Sequence, residues 1–97
     1  MDIRKDLQSA IHYHESGQLQ KAESLYKQIL RADPNQPDAL HLLGVVAYQS
    51  GNYDEAVHLI KQAIRNNPNN PFYYNNLGAT FAAQDLHTEA LSSYQSS

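Results

Sequence analysis

Ninety-seven residues give room for one small domain, and a hydrophobic content of 41% with 18% charged residues supports a modest core rather than disorder. A net charge of −3 and a pI near 5.9 argue against a nucleic-acid surface, which needs a basic face. The absence of cysteine excludes disulfides, thiolate zinc sites and thiol nucleophiles.

Taken in order, the chain starts with Asp2, Arg4, Lys5 and Asp6, unlike a signal-peptide core, and no apolar run is long enough to span a membrane. The expectation is a cytoplasmic protein with no membrane and no nucleic-acid partner. Asp2 can cap a first helix that runs to about Ser16, and Gly17 can take the left-handed conformation that ends it. A second helix is predicted from about Leu19 to Ala32. Ala22, Leu25, Tyr26, Ile29 and Leu30 form its apolar stripe, and Lys21, Glu23, Lys27 and Arg31 its solvated face. Asp33-Pro34-Asn35-Gln36-Pro37-Asp38 reads as stop, turn and start, because Pro34 cannot continue a helix and Pro37 suits the first position of the next. Helices follow at about 38–50 and 53–66. Asn66-Asn67-Pro68-Asn69-Asn70-Pro71 repeats the stop–turn–start signal, and helices of about 72–84 and 87–96 complete the prediction.

One offset, 34 residues, relates these parts. Gly17 maps to Gly51 and then to Asp85; Ala22 to Ala56 and Ala90; Ala10 to Gly44 and Gly78; Leu43 to Leu77. Tyr13, Ala47 and Phe81 correspond as expected core residues, as do Tyr26, Ile60 and Tyr94. Pro34 maps to Pro68 and Pro37 to Pro71. Leu40…Leu43-Gly44…Ala47…Ala56…Ile60…Pro68 and Tyr74…Leu77-Gly78…Phe81…Ala90…Tyr94 resemble the tetratricopeptide repeat, a helix–turn–helix unit of this period. The first copy, Asp6…Ser9-Ala10…Tyr13…Ala22…Tyr26…Pro34, departs at Asp6 and Ser9, a polarity that a terminal repeat tolerates.

The resemblance implies an all-α solenoid of antiparallel helix pairs in a right-handed superhelix. It would be a single domain over residues 1–97, with repeats Ile3–Gln36, Pro37–Asn70 and an incomplete Pro71–Ser97. In the family, Gly44 would meet Ala56 at a close crossing of the two helices. Asp85 in place of the turn glycine implies a looser turn or an aspartate in the left-handed region. With barely three pairs and no capping helix, the chain is expected to be a piece of a longer array, or to associate with another copy through its end helices.

The leading helices line the concave side in this family. The stripe left on the second one, once the pair-packing residues are removed, is Asp38, His41, Leu42, Val45, Tyr48 and Gln49. The third contributes Phe72, Asn75, Asn76, Ala79, Ala82 and Ala83; the first Arg4, Leu7, Gln8, Ile11, His14 and Glu15. No charge occurs between Pro71 and Gln84, and Asp38 is the one charge on the second leading helix. An apolar groove edged with amides suits an extended peptide, since an amide pairs with both a backbone N–H and a C=O. Gln8, Ile11, His41, Leu42, Val45, Tyr48, Gln49, Phe72, Asn75 and Asn76 are therefore the predicted peptide-binding residues. The competing reading of Leu42, Val45 and Phe72 is that they fill helix contacts, as apolar residues at helical spacing usually do.

Enzyme chemistry finds no support. His12 and His14 stand two apart and point differently from a helix, and His41, His58 and His87 are dispersed, so no metal site is predicted. There is no nucleophile elbow or phosphate loop, and no cofactor is expected. The carboxylate clamp of chaperone-binding tetratricopeptide domains is not matched: its Lys, Asn and Arg places carry Leu7, Ile11, Leu42 and Phe72, and only Asn76 agrees. Leu40-His41-Leu42-Leu43-Gly44-Val45 and Tyr74-Asn75-Asn76-Leu77-Gly78 also resemble segments of the arrays that precede O-GlcNAc-transferase-type catalytic domains. There, inner-face asparagines bind substrate backbone. Asn76 fits that ladder, Gln8 is similar, and Leu42 breaks it. The reading is a non-enzymatic protein-interaction scaffold with a protein or peptide partner. The alternatives are a substrate-docking piece of a glycosyltransferase and a self-assembling scaffold.

Overall fold

The computed structural model describes the backbone of residues 2–96 and the side chains of residues 2–85. Five helices follow one another: α1 (Ile3–Glu15), α2 (Leu19–Ala32), α3 (Pro37–Gln49), α4 (Tyr53–Asn66) and α5 (Pro71–Ser96). α1 pairs with α2 and α3 with α4, and each new leading helix packs on the trailing helix before it. Among the described residues, no helix is long and apolar enough to cross a membrane.

The helix ends follow from the sequence signals. The Asp2 carboxylate accepts the Lys5 backbone N–H, and the Gln36 side-chain oxygen accepts that of Ala39 at 2.6 Å, with Pro37 at the first turn where a missing N–H costs nothing. At both intra-pair turns the glycine is left-handed, Gly17 at φ 80° and Gly51 at φ 82°. Around each, the next residue's N–H reaches back five residues, Gln18 to the Tyr13 carbonyl and Asn52 to that of Ala47, which satisfies carbonyls that the helix end would leave open.

The predicted turn at Asp85 is absent. α5 is a single helix of 26 residues, about 39 Å long at 1.5 Å per residue, where two helices at 72–84 and 87–96 were expected. Ser16-Gly17-Gln18 and Ser50-Gly51-Asn52 become Gln84-Asp85-Leu86 in the third copy. The left-handed conformation is strained for a residue with a Cβ, and no non-glycine residue adopts a positive φ among the described residues. The contacts expected of the side chains of Ala90 and Tyr94 lie outside the described residues.

The core runs through the two complete pairs. Ala10, Ala22, Tyr26, Leu40, Leu43, Val46, Leu59, Ile60, Ala63 and Tyr73 form one buried cluster. The Gly44 crossing is as close as expected: a Cβ built there would sit 2.8 Å from Ile60 Cγ1 and 3.3 Å from the Ala56 carbonyl oxygen. The third copy lacks this partner, because a continuous α5 cannot fold back on itself. Phe81, expected in the core, is 38% exposed with the Lys61 ammonium over its ring, and Tyr74 is 49% exposed.

The two equivalent glycines should therefore respond to alanine with opposite signs. Gly44→Ala overpacks a backbone contact at a cost of about 1–3 kcal/mol, which outweighs the helix-propensity gain of about 1 kcal/mol. Gly78, with nothing within 4 Å of a built Cβ, keeps that gain. Urea unfolding of both variants measures the difference.

Candidate functional site

The leading helices α1, α3 and α5 are tied to one another by three side-chain links, each between residues 35 apart. His14 Nε2 lies 2.7 Å from Gln49 Oε1, joining α1 to α3. His41 Nε2 lies 2.6 Å from Asn76 Nδ2, and the Tyr73 hydroxyl donates to Asp38 at 2.5 Å, both joining α3 to α5. The spacing is one residue more than the 34-residue period. Adjacent leading helices thus meet one position out of step.

Burial and these links shift three titratable groups on or beside the leading helices. Burial pushes the Tyr73 phenol up to about 12, helped by its bond to Asp38 and the charge of that carboxylate. Tyr73 therefore remains a neutral donor, and the one carboxylate of α3 has a partner. Burial likewise raises Tyr26 to about 12, with Glu15 adding to the effect; its hydroxyl lies 3.1 Å from His14 Nδ1. His41 is 7% exposed and stacks 4.6 Å from the Tyr73 ring, and burial lowers its pKa below 6.5, with Asp38 opposing the shift.

Four of the ten predicted residues meet at one place. Val45, Tyr48, Gln49 and Asn76 line a recess of about 280 Å³ between α3 and α5, together with Ile60, Ala79 and Thr80. Val45 and Ala79 are apolar walls, Tyr48 packs its ring 5.7 Å from that of Tyr53, and the amides of Gln49 and Asn76 are the polar groups. Gln49 has one amide atom committed to His14, and Asn76 one to His41; the remaining amide groups of both have no partner among the described residues.

The other six are placed differently. His41, expected to meet a partner, is buried and holds Asn76 instead, because a ring between two helices at this depth is covered by Tyr73. Leu42 is half-buried against the core cluster, the packing alternative for that position. Ile11 is half-buried on α1. Gln8 borders a separate shallow hollow with Lys5, Ser9, His12 and Tyr13, so it does not join the amides of α3 and α5. Phe72, at 70% exposed, and Asn75 stand on the open surface of α5 outside the recess.

Sequence reasoning missed two residues. Tyr73 is 1% exposed where the equivalent Ala39 is 0%, so a large ring replaces a methyl in a buried position. Thr80 is also buried and donates its hydroxyl to the Asn76 carbonyl at 2.7 Å, four residues back, beneath the recess. The signal for Tyr73 was its offset from Asp38, visible only once the one-residue shift is known. A larger hollow, about 600 Å³, lies at the turn end among Gly51, Asn52, Tyr53, Asp54, Glu55, Gln84 and Asp85. Its walls are turn backbone and carboxylates, and it shares no residue with the recess.

The profile of the tetratricopeptide repeat family matches residues 13–80, and the chain belongs to that family. Among solved structures, it is similar to a mutant of the O-GlcNAc transferase of Thermobaculum terrenum, at 32% identity with a TM-score of 0.79. The match covers 80% of this chain but 15% of that one. No curated protein matches. Family and structural likeness together define a protein-interaction repeat module.

The buried His41 makes stability depend on pH in a stated direction. Below 6.5 the unfolded chain takes up a proton on His41 that the folded chain, with its lowered pKa, still refuses. Stability therefore declines as pH falls from 6.5 toward the folded value, and that contribution then levels off. Urea unfolding over a pH series should show this decline in the native protein, and a shallower one in His41→Gln.

Proposed function

We propose that the chain binds an extended segment of a partner protein on its concave face, with the recess between α3 and α5 taking one side chain. The observation that carries this reading is the composition of the recess. Apolar walls from Val45, Tyr48 and Ala79 stand beside two amides, each with unused hydrogen-bonding groups. A concave, mostly apolar site with a few converging polar groups is the common form of a ligand site. The two helices that flank the recess carry little charge: Asp38, held by the Tyr73 hydroxyl, is the one charged residue of α3, and α5 has none from Pro71 to Gln84. Leu42 and the exposed Phe72 and Asn75 extend the contact surface along the same helices; Gln8 and Ile11 are its outlying members on α1.

A second reading is favoured by the solved structure: the repeats form a substrate-docking segment of a protein glycosyltransferase. The 32% identity to an O-GlcNAc transferase motivates it, and the 15% coverage of that chain leaves its activity a proposal here. The mass of the native polypeptide in its source cells decides between the two. A long region beyond the repeats with transferase activity supports the second reading, and a product ending soon after them removes it.

Peptides selected from a displayed random library against the native chain provide the test of the groove. Tyr48→Ala with Asn76→Ala should weaken their binding by about 2 kcal/mol or more, roughly thirtyfold. Unchanged affinity in a variant that circular dichroism shows to be folded rejects the groove.

A further inference from the structure

We propose that His14 and His41 are positioning residues held in opposite tautomers, so that the recess presents a hydrogen-bond donor at Gln49 and an acceptor at Asn76. This rests on the groove reading above and adds the polarity of what the recess takes. At Gln49 the histidine faces the amide oxygen, which only accepts; His14 Nε2 must therefore carry the proton. Its Nδ1 then accepts the Tyr26 hydroxyl proton, and the Gln49 NH2 remains to point at a ligand. At Asn76 the histidine faces the amide nitrogen, which only donates; His41 Nε2 must be bare and Nδ1 protonated. The Asn76 side-chain oxygen Oδ1, together with the second side-chain N–H, remains to face the recess.

One donor and one acceptor on a shared recess match one residue of an extended peptide. Its C=O accepts from Gln49, its N–H donates to Asn76, and its side chain enters between Val45 and Ala79. The preferred ligand is thus a strand-like segment with a compact apolar residue and an unsubstituted backbone N–H. The two histidines differ in what a proton does to them. Protonated His14 still donates from Nε2, and Tyr26 can turn its hydroxyl to accept from Nδ1. Protonated His41 gains an Nε2–H against the Asn76 N–H, so the amide must rotate and offer two donors in place of the acceptor. The groups facing His41 are Asp38 from its own helix and Tyr73 and Asn76 from α5.

Imidazole nitrogen NMR of the native chain tests the tautomers without any ligand. His41 should appear as the Nδ1–H form and His14 as the Nε2–H form at neutral pH. The reverse form at His41 overturns the proposal. Asn76→Asp replaces the donor by a carboxylate, and should protonate His41 at Nε2 and lift its titration midpoint above 6.5. A midpoint unmoved in the folded variant also overturns it. The ligand arm uses acetyl-valine N-methylamide and its analogue methylated at the valine nitrogen. The first should shift the Val45 and Ala79 methyl signals, and the second should not. Equal shifts reject the acceptor role of Asn76. No shift from either, with the tautomers as expected, rejects the groove reading and with it the pairing.

Discussion

The contact on which the structure turns is the approach of α3 to α4 at Gly44. Ala56 and Ile60 are fully buried there, and a single added carbon would meet the Ala56 carbonyl and the Ile60 side chain. A close crossing of this kind fixes both the distance and the rotation of the pair, because small residues leave no freedom to slide on side chains. The consequence spreads through α3, which packs against α2, α4 and α5 and buries seven of its thirteen residues. A helix covered on nearly all sides acts as the spine of the stack. Its partners α2 and α4 are one-sided by contrast, with apolar stripes toward the core and charges outside.

What the leading helices have left after this packing is a narrow inner strip, and the polar residues on it serve two purposes. The links His14–Gln49, His41–Asn76 and Asp38–Tyr73 add polar ties between successive leading helices, which otherwise pack mainly on the trailing helices. An amide has both donors and an acceptor, so a link to a histidine occupies one side and leaves the other. A lysine in place of Gln49 or Asn76 would leave only donors there, and a carboxylate only acceptors. Asp38 shows the other solution. Its carboxylate accepts from a phenol that burial keeps protonated, so the one negative charge of α3 is held in a fixed place by the link.

The repeat was legible because its landmarks are chemical necessities. Only glycine takes the left-handed turn cheaply, only small residues fit the crossing, and only proline combines stopping one helix with starting another. Hence α2 and α4 lie where the pattern placed them, and α3 is displaced by a single residue. The recess was legible in part. Periodicity assigned Val45, Tyr48, Gln49 and Asn76 to one face, and they meet. It did not give depth, so His41 was read as reaching outward when a ring from the next helix covers it. Nor could a period of 34 reveal partners 35 apart. That extra residue comes from how neighbouring leading helices are staggered, a property of the packed stack rather than of any one repeat.

Asp85 shows how far one substitution in the pattern reaches. Without the glycine that takes the left-handed turn at no steric cost, α5 runs straight through the position where the earlier pairs reverse. Tyr74 and Phe81 then lose the helix that would have covered them, and Gly78 has no close neighbour. Among the described residues, α5 is held by α4 and by its two links to α3. Since α5 forms one wall of the recess, those links do more than orient an amide. Breaking His41–Asn76 or Asp38–Tyr73 removes a polar restraint on the wall itself. The inner-face hydrogen bonds that set the chemistry of the recess are therefore also among the interactions that keep it shaped, and the two effects separate only where a substitution changes proton positions while leaving the packing in place.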